Sequence, residues 1–580
     1  MNNIEIKQLV EQKINDSLFD EALELINKYK NEWGNDEDIA SMEAIIYIYC
    51  KEYAKSLEII KSGLKCNSLS SDLYYTLGNI YEFNNEINRA YICYEQAISL
   101  CQNDNYRDIM KLRLKELESK NNMTVNNVSF VILTYNQLEY TKICINSIRN
   151  YCNKGTYEII VVDNNSVDGT VEWLKEQKDI KAIFNKRNEG FPRGCNQGIE
   201  IAEKNNDIFL LNNDTVMMRN SLFNMRMALY SESSVGAVGA ISNRVSNYQQ
   251  VDLDYNNFDQ YIDFANKNNI TDEELYEDRI KLIGFAMLLR REVLDKVGNL
   301  DERFTPGNFE DDDLSYRIIQ EGYRLILAKD SYIHHFGSVS FGKDREKYNE
   351  IISMNRLKFE EKWGVDSSYS SIIRFDILGF INNEKWKKIR VLEVGCACGA
   401  TSLKIKDLYP NAEIYGIEIN KDSASIASKF MNIETYNIEE VDLNYEEKYF
   451  DYIIFADVLE HLYNPKLVLE KVNKYLKDDG SIITSIPNIM HYSVIMDLLN
   501  GNFTYTDAGI LDRTHIRFFT LNEINKLFVN SGYNIVNIFG KSIEVTSKGE
   551  EFINKLKEIC DGDEKQFGVY QYLIESKKNL

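Results

Sequence analysis

Apolar positions recur at helical spacing over residues 1 to about 118, and the same small and aromatic residues return after 34 positions. Ala44, Tyr47, Ser56, Ile60 and Gly63 stand in phase with Gly78, Tyr81, Ala90, Tyr94 and Ala97. Ala22, Ile26 and Tyr29 hold the same phase further upstream. Roughly three helical hairpins stacked in series are expected. From Lys111 to Asn127 a charged helix gives way to polar chain, which suits a linker. The pattern then changes to short β-branched runs, Val128 to Leu133, Glu158 to Val162, Lys181 to Phe184 and Asp207 to Leu211, with helical stretches between the first pairs. Strands alternating with helices imply a parallel sheet covered on both faces.

Residues 245 to 280 are polar, acidic and weakly periodic, so an irregular insertion near a site is expected there rather than core. A helix containing Trp363 ends around Glu360 to Phe375, and the strand–helix alternation restarts at Ile389. Ile389 to Val394, Glu413 to Ile417, Tyr452 to Phe455 and Ser481 to Ser485 read as strands, with helices after Gly399, Asp422 and Pro465. Tyr533 to Phe539 and Val569 to Glu575 supply two more strands to this second doubly wound domain.

A chain of 580 residues exceeds what one hydrophobic core serves, so two to four domains are expected. The ten cysteines are scattered, the Cys396–Cys398 pair has no second pair to complete a zinc site, and no leader of charged, apolar and small-residue blocks is visible. A reducing cytoplasm is the expected compartment. No apolar run approaches the ~20 residues that span a bilayer, so a soluble protein without an integral membrane segment is expected. The formal charge of −23 argues against nucleic acid as the main partner, because phosphate binding needs clustered Lys and Arg. Anionic ligands must instead be met locally, by a metal ion, helix N-termini or single basic residues.

The 34-residue period resembles the tetratricopeptide repeat, which implies either a concave surface for a protein partner or a packing and dimerisation appendage. In doubly wound sheets ligands lie beyond the carboxyl ends of the strands, and those positions are polar here. Thr134-Tyr135-Asn136 follows the first strand, the stretch from Asp163 to Thr170 the second, Asn188-Glu189-Gly190-Phe191 the third and Asn212-Asn213-Asp214 the fourth. The acidic run before Leu314 alone reads as a helix start and the Asn-Asn-Asp alone as a turn. Together with Gly194-Cys195-Asn196-Gln197-Gly198, Glu310-Asp311-Asp312-Asp313 and His334-His335, however, they resemble family 2 glycosyltransferases of the GT-A fold over roughly residues 127 to 345.

That resemblance implies a nucleotide-sugar donor and a divalent metal, Mn2+ or Mg2+, held by Asp214 and by His335, which is spaced before Ser340 as in relatives with a histidine ligand. The family's Asp-x-Asp stands here as Asn212-Asn213-Asp214, with one charge removed. Thr134, Tyr135, Asn136, Asp163, Asn188, Gly190 and Asn213 would join Asp214 in binding the donor, with Gly284 in the wall under the sugar. Asp311 is assigned the base of an inverting transfer, while Asp313 and Arg317 shape the helix that follows.

Glu393-x-Gly395-x-Ala397-x-Gly399 follows an apolar strand and opens a helix, and Glu418 ends the next strand. A nicotinamide-cofactor domain would share such a loop, but the spacing and the following Phe450 to His461 run resemble class I S-adenosylmethionine-dependent methyltransferases over roughly residues 380 to 545. Many relatives carry Gly where Ala397 stands. The resemblance implies that Glu393 belongs to the cofactor site, that Gly395 and Gly399 approach the methionine part and Asp457 its amino-acid end, that Glu418 holds the ribose, and that Asn437 and Ile438 lie beside the adenine. His461, His491 and His515 are candidates for assisting deprotonation of the nucleophile, with His515 the preferred one.

The expected architecture is a helical TPR-like solenoid (1–120), an α/β GT-A domain (127–365) and an α/β class I methyltransferase domain (372–580), both α/β domains Rossmann-like. The expected function is a bifunctional bacterial enzyme that glycosylates a protein or glycan precursor, with flagellin the first acceptor considered on analogy alone, and then O- or N-methylates the glycan. The rival expectations are an assembly scaffold and a single-activity methyltransferase with an inactive glycosyltransferase-like domain.

Overall fold

The structure is a computed structural model that describes residues 2–120, 125–253, 255, 257–337, 345–559 and 564–579. Ser340 and residues 121–124 of the expected linker lie outside the described residues. The chain divides into two compact units, Met1–Lys358 and Phe359–Leu580.

The first unit begins with seven helices: α1 (Asn3–Asn15), α2 (Phe19–Trp33), α3 (Glu37–Tyr49), α4 (Tyr53–Cys66), α5 (Ser71–Phe83), α6 (Ile87–Leu100) and α7 (Asp104–Lys120). Asn2, Asp36 and Ser70, 34 residues apart, each accept the amide three residues on and start α1, α3 and α5. The repeated small residues let the helices approach. A Cβ on Gly78 would lie 2.5 Å from the Tyr94 ring, and one on Gly63 would lie 2.7 Å from Ala40 Cβ.

The strands of this unit are β1 (Val128–Thr134), β2 (Tyr157–Asp163), β3 (Ile180–Phe184), β4 (Asp207–Asn212), β5 (Thr215–Val216), β6 (Val235–Ile241), β7 (Tyr276–Arg279), β8 (Ala286–Leu289), β9 (Arg324–Tyr332) and β10 (His334–His335). Eight form one sheet in the order β3-β2-β1-β4-β8-β6-β9-β7, and β5 pairs with β10. The all-parallel sheet expected from the alternation is corrected to a mixed one, because β8 runs antiparallel between β4 and β6 and β7 runs antiparallel to β9.

The irregular insertion expected at 245 to 280 is also corrected. It contains a helix (Phe258–Asn268) and the edge strand β7. That strand is held by charge rather than by apolar alternation: Glu277 pairs with Arg279 at 2.8 Å and with Lys329 at 3.0 Å, and Asp278 pairs with Arg324 at 2.8 Å.

Repeats and sheet share one hydrophobic core, which runs from Ala40 to Ile333. The helix Ser221–Leu229 is buried on every side, as expected for an element covered by both layers. Phe223 meets the Tyr74 ring edge-on at 5.1 Å, Met227 touches Cys93, and the buried Arg226 pairs with Glu95.

The second unit holds β11 (Arg390–Val394), β12 (Glu413–Glu418), β13 (Asn432–Thr435), β14 (Phe450–Ala456), β15 (Leu476–Pro487), β16 (Tyr533–Lys541) and β17 (Gln571–Lys578). Their order is β13-β12-β11-β14-β15-β17-β16, parallel up to β15 and antiparallel over the last two strands. β13 lies at the edge and has no counterpart in the apolar pattern of the sequence.

Candidate active sites

Parallel pairing aligns the carboxyl ends of the first unit's strands. Thr134 stands opposite Asp163, and Leu133 opposite Asn212, so the polar residues that follow each apolar run gather along one edge. Thr134, Thr141 and Asn213 form a buried network there: the hydroxyls lie 2.9 Å apart and the Asn213 amide donates to both, at 3.3 and 3.1 Å. The side chains of Thr134 and Asn213 thus brace the floor, while the Tyr135 ring beside them is exposed.

Asn136 has a left-handed backbone and ties this turn to the next one, its Oδ1 accepting Val167 N–H at 2.9 Å and its N–H donating to Ser166 Oγ at 2.6 Å. Asp163 Oδ2 accepts Ser166 N–H at 3.0 Å, and its Oδ1 is buried without a partner, the kind of orphaned acceptor that a ligand donor satisfies. Asn188 accepts Gly190 N–H at 2.9 Å. Gly190 needs its positive φ of 85° and its missing side chain, since a Cβ would lie 2.7 Å from Thr305 Cγ2.

A second group converges on the segment Gly284–Phe285. Gly284 N–H donates to Asp311 Oδ2 at 2.9 Å, and the Phe285 carbonyl accepts Asn212 N–H at 2.9 Å. The Phe285 ring stacks on His335 at 5.3 Å. Pairing of β5 with β10 sets His335 opposite Thr215, which brings His335 Nε2 within 3.2 Å of Asp214 Oδ1. His335 Nδ1 lies 2.6 Å from the Arg244 carbonyl and donates to it, so Nε2 faces the carboxylate. A carboxylate oxygen and an imidazole nitrogen at that separation suit two neighbouring ligands of one divalent cation, whose bonds of ~2.1 Å put adjacent donors about 3 Å apart. The residues present therefore fit a metal.

Asp311 also accepts Asp312 N–H at 3.0 Å. Burial, reinforced by the charge of Asp312, pushes its carboxyl up to about 6. Burial drives Glu310 well above the usual carboxylate range. Asp312 is neutralised by Lys281 at 2.9 Å, a residue that the sequence reading missed. Asp313 pairs with Arg317, whose guanidinium also donates to the carbonyls of Val297, Gly298 and Asn299 and so fixes the helix Glu310–Gln320.

In the second unit the loop after β11 carries three left-handed residues, Gly395, Ala397 and Gly399, with φ of 70°, 48° and 79°. A Cβ on Gly395 would lie 2.7 Å from Val458 Cγ2. Glu418, at the end of β12, accepts Ala397 N–H and Asn420 N–H, both at 2.8 Å, which sets its carboxylate against the loop. Glu393 is buried, accepts the Ser402 hydroxyl, and is pushed up to about 7 by burial.

Asp457 has a φ of 56° and is held by Ser485 at 2.8 Å and by Arg374 and Gln571. The last two partners, far away in sequence, were not foreseen. Asn437 turns its amide to Glu440 at 3.0 Å, and Ile438 packs in the core with Ile417 and Leu443.

The three candidate histidines separate. His491 caps the helix Tyr492–Leu499 and is lowered to about 4 by burial. His461 and His515 lie together, ring centroids 4.8 Å apart.

Two polar edges on two separate α/β sheets, each with its own acid and glycine turn, define a two-domain transferase. Family comparison gives the classes: the Glycosyl transferase family 2 profile matches residues 129–298, and a Methyltransferase domain profile matches residues 374–538. The chain carries a glycosyltransferase domain fused to a methyltransferase domain. It is 32% identical over 181 residues to the uncharacterized protein MJ1252 of Methanocaldococcus jannaschii, covering 28% of this chain and 69% of that protein, and belongs to one family with it over that stretch.

It is also similar to the malonyl-[acyl-carrier protein] O-methyltransferase of Geobacter sulfurreducens, 23% identical over 32% of this chain and 72% of that one. Among solved structures it is similar to the mannosyltransferase PcManGT from Pyrobaculum calidifontis in complex with GDP-Man and Mn2+, with 18% identity, 44% of this chain and 69% of that chain covered, and a TM-score of 0.29. Among the described residues no helix is long and apolar enough to cross a membrane.

Proposed function

We propose that the chain transfers a sugar from a nucleotide-sugar donor with inversion and methylates the resulting glycan from S-adenosyl-L-methionine. The observation that carries the reading is the convergence on Gly284–Phe285 of a carboxyl poised near neutrality, Asp311, with the Asp214–His335 pair. Asp311 takes the proton of the acceptor hydroxyl. Asp214 and His335 hold a divalent cation, Mn2+ or Mg2+, which when bound neutralises charge on the departing nucleoside diphosphate. The orphaned oxygen of Asp163 reads the nucleoside, Tyr135 lies against the base, and Asn136, Asn188 and Gly190 shape the turns around it.

In the second domain Gly395 and Gly399 leave room for the cofactor's methionine part, Glu418 holds its ribose hydroxyls, and Asn437 and Ile438 lie beside its adenine. The buried carboxyl of Glu393 and the partly exposed one of Asp457 complete the pocket. His515 assists loss of the acceptor proton. Domain extents of 1–120, 127–365 and 372–580, a tetratricopeptide-like character for the repeats, a cytoplasmic location and a protein acceptor such as flagellin complete the proposal. The 34-residue spacing of the helix starts supports the repeat assignment.

Nucleotide release from a panel of sugar nucleotides, with and without manganese, tests the first reaction. Release from one donor that needs the metal, and that falls ~10²–10⁴-fold in Asp311→Asn and is also lost in Asp214→Ala, is expected. Release that is indifferent to both substitutions refutes the assignment.

A further inference from the structure

Glu460 is 1% exposed, and both its carboxylate oxygens lack any hydrogen-bond partner. A buried anion left this way is costly unless a cation or donor meets it. What surrounds it is a pair of imidazoles, since its donor atoms and those of His461 and His515 all lie within 4.8 Å of one another. His515 Nε2 is 4.0 Å from Glu460 Oε1, beyond hydrogen-bond reach.

The two rings are aimed by their other nitrogens. His461 Nδ1 donates to the Thr514 carbonyl at 3.1 Å and His515 Nδ1 to the Ile510 carbonyl at 2.9 Å, which leaves both Nε2 lone pairs free to act as ligands. The segments that carry these groups are clamped together, because Ile516 and Arg517 both donate their N–H to the Glu460 carbonyl at 2.9 Å.

We propose that Glu460, His461 and His515 form a divalent-cation site in the methyltransferase domain, with its remaining coordination positions taken by oxygens of the acceptor glycan. Two imidazole nitrogens and one carboxylate oxygen suit Mn2+, Fe2+, Co2+ or Zn2+ and leave open positions for an exogenous ligand. Donors around such an ion stand about 3 Å apart when adjacent and about 4.2 Å when opposed, so the three groups close on it with shifts below about 1 Å. The inference deepens the methylation reading and selects oxygen as the methylated atom.

A hydroxyl bound to the ion loses its proton to water. Its oxygen then forms the O–CH3 bond as the S–CH3 bond of the sulfonium breaks, and a neutral thioether leaves. His515 thus acts through the metal rather than as a free base.

Cobalt titration of the full-length chain tests the site by its visible absorption, with Asp214→Ala as the background so that the sugar-transfer site does not contribute. One equivalent of Co2+ bound to that chain is expected. Glu460→Gln, His461→Ala and His515→Ala should each weaken binding by more than ~10-fold, since outer-shell partners alone are worth 10–100-fold. Thermal unfolding identifies any variant that does not fold, and the half-exposed His461 supplies the mildest substitution.

Absence of Co2+ binding, or unchanged affinity in the folded variants, overturns the site. Methyl transfer that survives chelation and is lost only in His515→Ala would overturn it too, while leaving the methylation reading intact. Co2+ binding that depends on all three residues, without methyl transfer to any glycan, would uphold the site and reject that reading.

Discussion

Lowering the pH should switch off sugar transfer through one carboxyl. Asp311 titrates at about 6 instead of 3.8 because it is buried and stands beside the charge of Asp312. At pH 7 about nine molecules in ten carry the carboxylate proposed to take the acceptor's proton, and at pH 5 about one in ten. With donor and metal saturating, the rate should rise tenfold per unit below the midpoint and level off above pH 7.

The same shift links to stability with a definite sign. A carboxyl whose folded-state value is raised favours the fold below its unfolded value and loses that contribution as pH rises through the folded value. From 3.8 to about 6 the cost at pH 8 is at most ~3 kcal/mol. Asp311→Asn mimics the protonated form. At pH 8 it should melt up to ~4 °C higher than the parent while transferring sugar ~10²–10⁴-fold more slowly, and at pH 4 the two should melt together. Initial rates from pH 5 to 8 and calorimetry at pH 4 and 8 provide the measurements. A rate midpoint near 4, or a variant less stable than the parent at pH 8, refutes the reasoning.

Three further outcomes are expected. Glu95→Ala strands the buried guanidinium of Arg226 and should cost ~3–5 kcal/mol in urea unfolding, with most of it regained in Glu95→Leu/Arg226→Met; a loss below ~1 kcal/mol would contradict the shared core. Ala397→Gly relieves a left-handed φ of 48° and should stabilise the second unit by up to ~1 kcal/mol, read from its thermal transition. Glu418→Ala should weaken S-adenosylmethionine binding ~10–100-fold by calorimetry with little change in the fold, and an unchanged affinity would remove it from the ribose site.

β1, β2 and β4 of the glycosyltransferase domain were legible because parallel strands buried on both faces read as uninterrupted apolar runs, whereas the edge strand β3 showed itself only by its short apolar run Ala182 to Phe184. β6 was not, since Gly236 and Gly239 interrupt its pattern; each sits where a Cβ would meet Ile318 at 2.8 Å or Leu282 at 2.9 Å. β7 escaped because it is an edge strand secured by ion pairs, and β13 because its four residues lie at a sheet edge with none fully buried.

In the sites, residues that follow strands were visible as breaks from apolar to polar. Partners brought in by tertiary packing were not. Lys281 beside Asp312 and Arg374 and Gln571 around Asp457 carry no local signature, and Glu460 looks like an ordinary helical acid until the loop bearing His515 is folded against it.

The core common to repeats and sheet imposes an order on synthesis. Glu95 waits for Arg226, 131 residues later in the chain, which at ~5–20 residues per second is a delay of about 7–26 s on the ribosome. Throughout that interval Tyr74 and Cys93 lack their contacts with Phe223 and Met227, which have yet to emerge. The face of the nascent helical segment that meets the helix Ser221–Leu229 is therefore left uncovered, and slow codons placed after residue 100 would lengthen its exposure rather than help it fold.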